Sequence, residues 1–440
     1  MLEWSPEQVA RAAGGRLAAP VALPGGPARA VIDSRAAGPG DLFVGLVGEN
    51  VDGGRFAAQA LDGGAWGVLV AGEHAEALGA ADGAVIAADD PLGALQRLAT
   101  TWRRALGCPV VGITGSVGKT STKDILAAML SQRLRTVANR ENLNTEIGLP
   151  MTVLEAPAGT EALVLEIGMR GPGQIAELTA IAEPDVGLIT AVAPVHLELM
   201  GSIEAIAAAK AELVAGLRPG GTAIVPAGET LLDAHRRDDV TTVTFGPGGD
   251  VDELPATLEL VVTGVGGGER ISAHMRRNAL AALAAARAVG VEPDGLLEVA
   301  LSSFRGQRID LPGDIVVVND CYNANPMSMR AALDDLAASE VSPPARRVAV
   351  LGDMLELGPD EDRFHAEIGA HARESGVDLL VAVGPRAAHF ADGYGEVIAL
   401  PDAQAAAAAV RDLLAPGDTV LVKGSRGVGL EAVARALEGA

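Results

Sequence analysis

The sequence predicts an α/β protein of three domains with mostly parallel sheets. Short apolar runs, which have the length of buried strands, alternate along most of the chain with segments whose apolar residues recur at helical spacing. This alternation is typical of parallel sheets covered by helices. The composition also changes near Pro312 and Gly313, where a second regular series of strands and helices begins. We therefore place the domains at residues 1–88, 89–311 and 312–440.

The first domain is predicted to be a small α/β unit. Ser5 and Pro6 have the residue types of a helix N-cap and a first helical position, so a helix is expected over 5–13. Strand-like runs follow at 30–33, 42–47, 67–70 and 84–87, with a helix over 55–61. The first run ends in Asp33-Ser34-Arg35. This tripeptide is either a surface turn or a site in which Ser34 and Arg35 contact a phosphate or a uracil.

The second domain is predicted to form around a Gly-rich loop. A helix over 91–106 leads into an apolar strand at 108–113, and a turn from Gly115 to Gly118 follows. Lys119 and Thr120 then begin a helical pattern. Strand, Gly loop, Lys–Thr pair and helix form a cradle for a nucleoside triphosphate, because backbone N–H groups and the helix N-terminus attract phosphates. We expect Lys119 to hold the terminal phosphates of ATP and the Thr120 hydroxyl to hold Mg²⁺.

The loop is shorter than the strict phosphate-loop pattern, which requires glycine where the chain has Ile113. An ordinary strand–turn–helix with a chance Lys–Thr pair is the alternative. Glycines at 112, 115 and 118 favour the phosphate site. The residues assigned to it are Thr114, Gly115, Ser116, Val117, Gly118, Lys119, Thr120 and Ser121.

Other polar residues follow predicted strands of this domain. Glu166 lies in an apolar strand over 162–167, where it is either an Mg²⁺ ligand or a partner in a salt bridge. His196 follows a strand at 186–190, and a lone histidine is more often structural than a ligand. Lys210 lies in an Ala-rich helix over 203–217, where the alternative is a solvated lysine. Because ligands of parallel sheets gather at the carboxyl ends of the strands, we group Lys119, Thr120, Glu166 and His196.

A polar loop from Asn139 to Pro150 lies between the phosphate-loop helix and the strand of Glu166. Asn residues in such density form turns or hydrogen-bond a ligand, which makes Asn142 and Asn144 candidates. Later in the domain, a helix is predicted over 274–289 and contains Asn278.

The third domain is predicted to be a second doubly wound, Rossmann-like unit. Strands are expected at 315–319, 347–352, 379–383 and 419–423, and helices at 360–375, 402–414 and 428–437. The dinucleotide pattern G-x-G-x-x-G is absent after the strand at 347–352. The loop Lys423-Gly-Ser-Arg-Gly427 follows a strand and can bind a carboxylate or a phosphate. We expect a hinge between the last two domains at 311–313.

The composition limits the possible partners. The chain has 440 residues and a net charge of −23 without any Lys/Arg-rich run, which argues against binding to nucleic acid or to anionic membranes. Two cysteines, far apart, offer neither a disulfide framework nor a zinc site, so a reducing cytoplasm is expected. No signal peptide is visible, and no apolar run approaches the roughly 20 residues that span a bilayer.

These residues resemble the Mur ligases, ATP-dependent amide-forming enzymes of peptidoglycan precursor synthesis. The short loop Thr114–Thr120 is the form that the family uses, and the loop ending Asn144-Thr-Glu-Ile-Gly-Leu-Pro150 is similar to the family's Asn-rich loop. Glu166, His196 and Lys210 also fall at family positions. The resemblance extends over essentially the whole chain. It implies an N-terminal α/β domain that binds the UDP end of a substrate, a central P-loop ATPase-like domain and a Rossmann-like C-terminal domain.

Three segments resemble the family member that adds D-alanyl-D-alanine: Asp320-Cys-Tyr-Asn-Ala-Asn-Pro-Met-Ser328, Val350-Leu-Gly-Asp-Met-Leu-Glu-Leu-Gly358 and Lys423-Gly-Ser-Arg426. The Asp-Asn-Pro-Arg segment of the diaminopimelate-adding sibling is absent from the sequence. The resemblance implies that UDP-N-acetylmuramoyl-tripeptide is joined to D-alanyl-D-alanine through an acyl phosphate, while ATP becomes ADP and phosphate.

The same resemblance implies roles for individual residues. Glu166 would share the Mg²⁺ held by Thr120, and His196 with a carbamylated Lys210 would hold a second Mg²⁺. The residues expected to contact the nucleotide are Asn278, Arg308, Asp320, Asn323 and Asn325. The residues expected to contact the other substrates are Ser34 and Arg35 at the UDP end, Asn142 and Asn144 in the polar loop, and Ser425 and Arg426 for the dipeptide.

The chain departs from the family in two places. The pattern Asp-Gly-His-x-Phe reads Asp52-Gly53-Gly54-Arg55-Phe56 here, and the stretch Phe304-Arg-Gly-Gln-Arg308 matches the family's Gly-Arg only loosely. Two other functions stay open: a sibling ligase that uses another amino acid or a folate, and a nucleotide-binding module without ligase chemistry. Among partners we expect small molecules only, and we expect a monomer.

Overall fold

The computed structural model describes residues 1, 3–79, 81–140, 142–195, 197–263 and 271–439. Their strands form three larger sheets of five, six and six strands and one two-stranded pair. The three larger sheets follow one another along the chain, and helices accompany each of them, which confirms the predicted α/β class. Within the described residues, no helix is long and apolar enough to cross a membrane.

The first sheet has five short strands. They are β1 Arg16–Leu17, β2 Arg29–Val31, β3 Asp41–Val44, β4 Gly67–Ala71 and β5 Ala84–Ala88, with helices α1 Pro6–Ala12, α2 Ala57–Asp62 and α3 Gly72–Leu78. The order is β1-β5-β4-β3-β2, and β1 is antiparallel to its neighbour while the other pairs are parallel. Helix α1 begins as predicted, with Ser5 accepting a hydrogen bond from the Gln8 amide and Pro6 in the first turn.

The second sheet has six parallel strands, reached through helix α4 Pro91–Leu106. The strands are β6 Val110–Thr114, β7 Thr136–Ala138, β8 Ala162–Glu166, β9 Val186–Ile189, β10 Thr222–Pro226 and β11 Thr241–Phe245. Their order is β11-β10-β9-β6-β8-β7. The helices are α5 Lys119–Ser131, α6 Gly148–Glu155, α7 Gln174–Ala182, α8 Leu197–Met200, α9 Ile203–Ala215 and α10 Ala273–Ala288. The parallel pair β12 Leu258–Thr263 and β13 Gly295–Ala300 stands apart from this sheet.

The third sheet also has six strands. They are β14 Gln307–Leu311, β15 Ile315–Asn319, β16 Arg347–Gly352, β17 Leu379–Val383, β18 Ile398–Leu400 and β19 Thr419–Lys423, in the order β14-β15-β19-β16-β17-β18. The β14–β15 pair is antiparallel and the others are parallel. The helices are α11 Pro326–Ala337, α12 Glu361–Glu374, α13 Phe390–Tyr394, α14 Ala403–Leu413 and α15 Glu431–Glu438.

The predicted boundary after residue 311 falls inside a β-hairpin. Strand β14 pairs with β15 from Gln307 opposite Asn319 to Leu311 opposite Ile315, so the third sheet begins at Gln307. Ladder hydrogen bonds hold both strands in one sheet, and the turn at 311–313 therefore cannot be the expected interdomain hinge. The prediction missed β14 because this edge strand buries only Ile309 and Leu311 and lacks a continuous apolar run. The connection that precedes the third sheet is instead residues 301–306.

Helix α4 joins the first two sheets through one hydrophobic core. Its buried face includes Leu95, Leu98 and Trp102, which pack in the same cluster as Ile86 of the first sheet and Leu163 of the second. Trp102 also donates a hydrogen bond from its ring to the carbonyl of Ala156, at 2.9 Å. Each fully buried Leu contributes roughly 2 kcal/mol of transfer free energy. The first two sheets are therefore fixed relative to each other by apolar packing.

A buried carboxylate ties the loops at the start of two strands in the third sheet. Asp418 is fully buried and accepts hydrogen bonds from the backbone N–H groups of Arg346 and Ala415, and from the Arg346 guanidinium at 2.7 Å. Burial opposes ionisation of Asp418, but the bonds from Arg346 and the two amides outweigh it, so the pKa of Asp418 lies below its usual 3.8. The ionised carboxylate thus holds β16 beside β19.

Replacing Asp418 by Asn should lower the free energy of unfolding at pH 7 by about 2–3 kcal/mol, because Arg346 would lose its ionised partner. Since the folded pKa is depressed, wild type has this stabilisation above pH 3.8 and loses it as the pH falls through the folded pKa. Urea unfolding at pH 7 and at pH 3 measures both values. Asp378→Asn, which removes an exposed carboxylate bound to the Arg347 amide, is the control and should cost under about 1 kcal/mol. Equal losses for the two variants would contradict the prediction.

Candidate active site

Two glycines of the predicted phosphate loop occupy positions that other residues cannot take. Gly115 follows β6 with φ at 147°, and a Cβ there would lie 2.0 Å from the Thr190 hydroxyl. Gly118 precedes α5 with φ at 82°, and a Cβ there would lie 2.4 Å from the side-chain oxygen of Asn278. Glycine is therefore required by backbone conformation and by close packing at both positions. Ile113 is fully buried in β6, which explains why the strict spacing is not met.

The loop is anchored to the chain that follows β9. The Ser116 amide donates to the carbonyl of Ala191, and its hydroxyl exchanges hydrogen bonds with the backbone of Ala193, all at 2.9 Å. Thr190 donates from its hydroxyl to the carbonyl of Val117 at 2.6 Å. These bonds fix the shape of the loop. They also engage the Ser116 hydroxyl, so its part in a phosphate site is structural.

Four side chains converge where the loop enters α5. Lys119 donates to the carbonyl of Gly115 at 2.8 Å, Thr120 donates to Glu166 at 2.8 Å, and Arg305 donates to the Thr120 hydroxyl at 3.0 Å. Burial lowers the pKa of the Lys119 ammonium, and Arg305 adds to this lowering while Glu166 opposes it. The structure therefore brings Lys119, Thr120 and Glu166 together, as expected from their places after adjacent strands.

The donor set at this point fits Mg²⁺. The Thr120 hydroxyl and a Glu166 oxygen lie within hydrogen-bond distance, and both are the hard oxygen ligands that Mg²⁺ prefers. Asn144 of the polar loop donates to the other oxygen of Glu166 at 2.8 Å. The structure therefore brings Asn144 to the site. Asn142 is exposed and lines the same cavity.

Asn139 fixes the backbone of Glu166, which carries this carboxylate. Its side chain accepts from the amide of Glu166 at 2.8 Å and donates to the carbonyls of Glu166 and Leu143, at 3.1 and 2.9 Å. Lys123, buried on α5, donates to the carbonyl of Asn139 at 2.7 Å. Neither Asn139 nor Lys123 was among the predicted site residues, because a supporting role depends on contacts between segments that are distant in sequence.

Lys210 projects from α9 into the protein interior. Its side chain is 1% exposed, and burial lowers the pKa of its ammonium well below the usual value, with repulsion from Lys119 adding to the effect. Burial and a neighbouring cation both favour the uncharged form of an amine. His196, which was predicted to act with Lys210, lies outside the described residues.

Arg305 lies at the position expected for Arg308. The guanidinium of Arg305 lies 3.8 Å from the ring centroid of Tyr322 and reaches Thr120, whereas Arg308 is exposed on β14 and binds Asp310 at 2.8 Å. The segment is held against α5 by Ser302, whose amide and hydroxyl donate to Asp124. Arg305 therefore reaches the phosphate loop, while the predicted residue, Arg308, lines the same cavity and binds Asp310. The sequence contains both arginines, and only the packing of the connection distinguishes them.

The carboxyl ends of the third sheet face the phosphate loop across a cleft. Lys423 is buried at the end of β19 and donates to Asp320 at 2.5 Å and to the carbonyl of Asn323 at 3.0 Å. Asp320 and Asn323 line the cavity, and their predicted contact with the nucleotide stays a prediction. Asn325 instead caps α11, where its side chain accepts from the amide of Ser328 at 2.9 Å.

Ser425 and Arg426, which were predicted to contact the dipeptide, differ in their exposure and in their hydrogen bonds. The hydroxyl of Ser425 accepts from the amide of Leu355 at 2.9 Å and donates to the carbonyl of Ala324 at 3.3 Å, so it joins two loops of the third domain. Arg426 is exposed, with its guanidinium 5.4 Å from the ring centroid of Phe304. Arg426 can therefore meet a ligand, while Ser425 shapes the loop that carries it.

All of these loops surround one large cavity between the second and third sheets. Its volume is about 2020 Å³. It is lined by loops at the carboxyl ends of strands in both sheets and by residues of α10 and α11. Among the described residues, six lysine and arginine side chains line it, although the whole chain carries a net charge of −23: Lys119, Arg170, Arg305, Arg308, Lys423 and Arg426. Placed cations of this kind are suited to phosphate and carboxylate ligands.

Ser34 and Arg35 lie away from this cavity, beyond β2 of the first sheet. Arg35 binds Asp33 through two hydrogen bonds of 2.9 and 2.7 Å, and the Ser34 hydroxyl donates to Gln59 of α2 at 3.1 Å. The pair occupies the carboxyl edge of a parallel sheet, which is where ligands of such sheets bind. Ser34 and Arg35 therefore lie on the first domain, whereas the other predicted site residues belong to the second and third domains.

Lysine usage was a signal that the sequence-based interpretation did not use. Four of the 34 lysine and arginine residues are lysines: Lys119, Lys123, Lys210 and Lys423. Three of these side chains are buried and the fourth is half-buried. Because the chain uses arginine for its exposed cations, each lysine is conspicuous. This pattern would have added Lys123 and Lys423 to the predicted site.

Comparison with known proteins agrees with this geometry. Family models described as "Mur ligase family, catalytic domain", "Mur ligase middle domain" and "Mur ligase, glutamate ligase domain" match residues 30–103, 113–286 and 304–426. Two relatives are named UDP-N-acetylmuramoyl-tripeptide--D-alanyl-D-alanine ligase. The one from Synechocystis sp. is 40% identical to this chain, and the one from Bacillus subtilis is 35% identical to it. The alignments cover 91% and 92% of this chain, and 90% and 92% of those relatives. The chain belongs to the Mur ligase family.

Solved structures of the family resemble this Mur ligase over nearly its whole length. MurF from Acinetobacter baumannii superposes with a TM-score of 0.84 at 29% identity, covering 100% of both chains. The MurF ligase from Thermotoga maritima in complex with ADP gives a TM-score of 0.79 at 28% identity, covering 93% of this chain and 97% of that one. The resemblance found in the sequence is thereby confirmed for the family and the fold.

The two neighbouring arginines of this Mur ligase allow a matched test. Arg305→Ala should raise the KM for ATP and lower kcat/KM by about 10- to 100-fold, because a charge-assisted hydrogen bond to the phosphate end of the loop is lost. Arg308→Ala should change kcat/KM less than about threefold, since its guanidinium binds an exposed carboxylate. Steady-state kinetics with ATP varied gives both values. A larger loss for Arg308→Ala would assign the nucleotide contact to Arg308 instead of Arg305.

Proposed function

We propose that this Mur ligase joins UDP-N-acetylmuramoyl-tripeptide to D-alanyl-D-alanine and converts ATP to ADP and phosphate. The observation that carries the proposal is the cavity, which has a phosphate loop on one wall and cationic strand-end loops on the other. Its volume of about 2020 Å³ exceeds the roughly 300–1,000 Å³ of an ordinary single-ligand pocket. Such a space suits a nucleotide together with the reacting ends of two further substrates.

The chemistry explains why ATP is needed. A carboxylate does not react with an amine at neutral pH, because its carbonyl carbon is not electrophilic and oxide cannot leave. In the first step a carboxylate oxygen of the tripeptide attacks the γ-phosphorus, and the bond from that phosphorus to the β–γ bridging oxygen breaks. ADP leaves, and the carboxyl group becomes an acyl phosphate whose leaving group is phosphate.

The second step forms the amide. The uncharged amine of D-alanyl-D-alanine attacks the acyl carbon and gives a tetrahedral intermediate. Phosphate then leaves with the bonding electron pair, and the amine gives up a proton. Positioning and neutralisation of charge supply most of the catalysis in phosphoryl transfer.

Lys119 and Arg305 are proposed to neutralise the phosphate oxygens at the loop. Thr120 and Glu166 are proposed to hold Mg²⁺, which when bound adds positive charge at the β- and γ-phosphates. Asn144 and Asn139 keep the Glu166 carboxylate in place. Their support matters because misplacement of a charged group by about 1 Å can cost on the order of a hundredfold in rate.

The environment of Lys210 supports the carbamylation that the family resemblance implies. Only an uncharged amine adds to carbon dioxide, and burial together with the charge of Lys119 favours the uncharged form. The product is an anion with two oxygen atoms, which suits a second Mg²⁺ where an ammonium would repel it. We propose that Lys210 serves in this form.

The outer parts of the substrates are proposed to bind the outer domains. Ser34 and Arg35 stand at the ligand-binding edge of the first sheet and would take the UDP end, while Arg426 would meet the carboxylate of the dipeptide. Asn278 packs against Gly118 of the phosphate loop and Asp320 lines the cavity, and both are proposed to contact the nucleotide. The described residues of one chain form both walls of the cavity, so we further propose that the enzyme acts as a monomer, and its two distant cysteines favour a reducing cytoplasm.

Lys119→Ala tests the ligase and its phosphate loop together. Wild type should release phosphate from ATP only when UDP-N-acetylmuramoyl-tripeptide and D-alanyl-D-alanine are both present, and the variant should lose activity by at least about 1,000-fold. A coupled phosphate assay with each substrate omitted in turn measures this. Release that does not require the dipeptide indicates a sibling ligase. ATP binding without release under any pairing indicates a nucleotide-binding module.

Lys210→Arg tests the proposed carbamate. Arginine keeps a positive charge and a long side chain but cannot form a stable carbamate, so the variant should lose activity by at least about 100-fold. With ¹³C-bicarbonate, wild type should give a carbamate carbon resonance that is absent from the variant, and the small number of lysines simplifies its assignment. Full activity in Lys210→Arg, or an unchanged resonance, would contradict the proposal.

A further inference from the structure

One departure from the family pattern lies in the first domain. The segment Asp52-Gly53-Gly54-Arg55-Phe56 has glycine at position 54, where the pattern of the family has histidine. Residues 53–56 form a single 3₁₀ turn that leads into α2. The backbone of Gly54 is not in the left-handed region, so its conformation alone does not require glycine.

The space beside Gly54 is occupied by another histidine. A Cβ at position 54 would lie 2.2 Å from Cδ2 and 2.7 Å from Nε2 of His74, and the three nearest atoms all belong to that imidazole ring. His74 comes from the first turn of α3, about twenty residues later in the chain. The protein therefore keeps an imidazole at this place but supplies it from a different element.

His74 is held in a defined orientation. Its Nε2 lies 2.7 Å from Asp52, and the same carboxylate accepts the amide of Gly54 at 2.9 Å. The hydrogen bond with His74 lowers the pKa of Asp52. The imidazole is still 18% exposed, and its Nδ1 has no hydrogen-bond partner among the residues that the structure describes. One ring nitrogen is thus fixed, while the other is available to a ligand.

The position of His74 is the ligand-binding edge of the first sheet. Helix α3 begins directly after β4, so His74 stands at the carboxyl end of a parallel strand, as Ser34 and Arg35 do after β2. Gln59 of α2 binds the Ser34 hydroxyl, and α2 also contacts α3. Ligands of parallel sheets bind at this edge. The imidazole and the Ser34–Arg35 pair are therefore parts of one edge.

We propose that His74 is a positioning residue for the uridine diphosphate end of the nucleotide-sugar substrate, and that it replaces a side chain missing at position 54. Nδ1 hydrogen-bonds the nucleotide, and Asp52 fixes the ring through Nε2. The assignment rests on the proposed function, because it presumes that this domain binds the UDP end. Asp52, Glu73 and His74 also place their ligand atoms within 4.8 Å of one another, so a metal ion is the competing occupant.

The test compares His74→Ala with the double variant Gly54→His/His74→Ala. In His74→Ala the KM for UDP-N-acetylmuramoyl-tripeptide should rise about tenfold or more, with kcat and the KM values for ATP and D-alanyl-D-alanine changed less than twofold. In the double variant the imidazole returns from position 54 into the space left by His74, and the KM should fall back toward wild type. Titration calorimetry with UDP alone, in the presence of EDTA, should show the same order of affinities.

His389→Ala is the matched control. This histidine is half-buried on the third domain, where it binds Asp392, and its removal should leave all KM values unchanged. An unchanged KM for the nucleotide sugar in His74→Ala overturns the inference while wild-type turnover still supports the ligase. A raised KM that the double variant does not restore assigns His74 a structural role and also overturns it. UDP binding that EDTA abolishes would favour the metal site instead.

Discussion

The active site depends on the parallel pairing of β8, β6 and β9 in the second sheet. Main-chain hydrogen bonds set Ile113 beside Glu166 on one side and Thr114 beside Ile189 on the other. This register brings the phosphate loop, the Glu166 carboxylate and the chain after Thr190 to the same edge. The Thr120–Glu166 hydrogen bond and the anchoring of Ser116 on Ala193 follow from it. A shift of one residue between β6 and β8 would turn the carboxylate to the other face of the sheet.

The second constraint is the cost of placing charge in a protein interior. Lys123, Lys210 and Lys423 are buried, and Glu166 is 2% exposed. An unpaired buried charge is costly, so hydrogen bonds must compensate it or the group must change its protonation. Glu166 receives bonds from Thr120 and Asn144, and Lys423 binds Asp320. Lys210 shows the other outcome, a strongly lowered pKa. The site thus concentrates buried ionisable groups, and hydrogen bonds within the protein compensate several of them.

The connection between the second and third sheets has a functional part of its own. Ser302 fixes it to α5 through Asp124, and Arg305 extends from it to the phosphate loop, while Tyr322 of the third domain packs against the same guanidinium. Thr120 of the second domain and Tyr322 of the third domain therefore both contact Arg305, which lies in the connection. Movement of the third sheet would change the contacts of Arg305 directly. The turn at 311–313 cannot take this part, since it lies within the β14–β15 hairpin.

The sequence by itself determined the α/β class, most of the strands and helices, the phosphate loop, the candidates Lys119, Thr120 and Glu166, and the family. These features depend on local signals, such as apolar periodicity, glycine spacing and residue order, which are present in each segment. Tertiary structure alone decided that Arg305 rather than Arg308 reaches the loop, that Asn325 and Ser425 stabilise loops, and that His74 fills the space at Gly54. The reason is physical: these outcomes depend on contacts between segments far apart in the chain. No local pattern encodes which of two nearby arginines, or which of two elements, will supply the side chain.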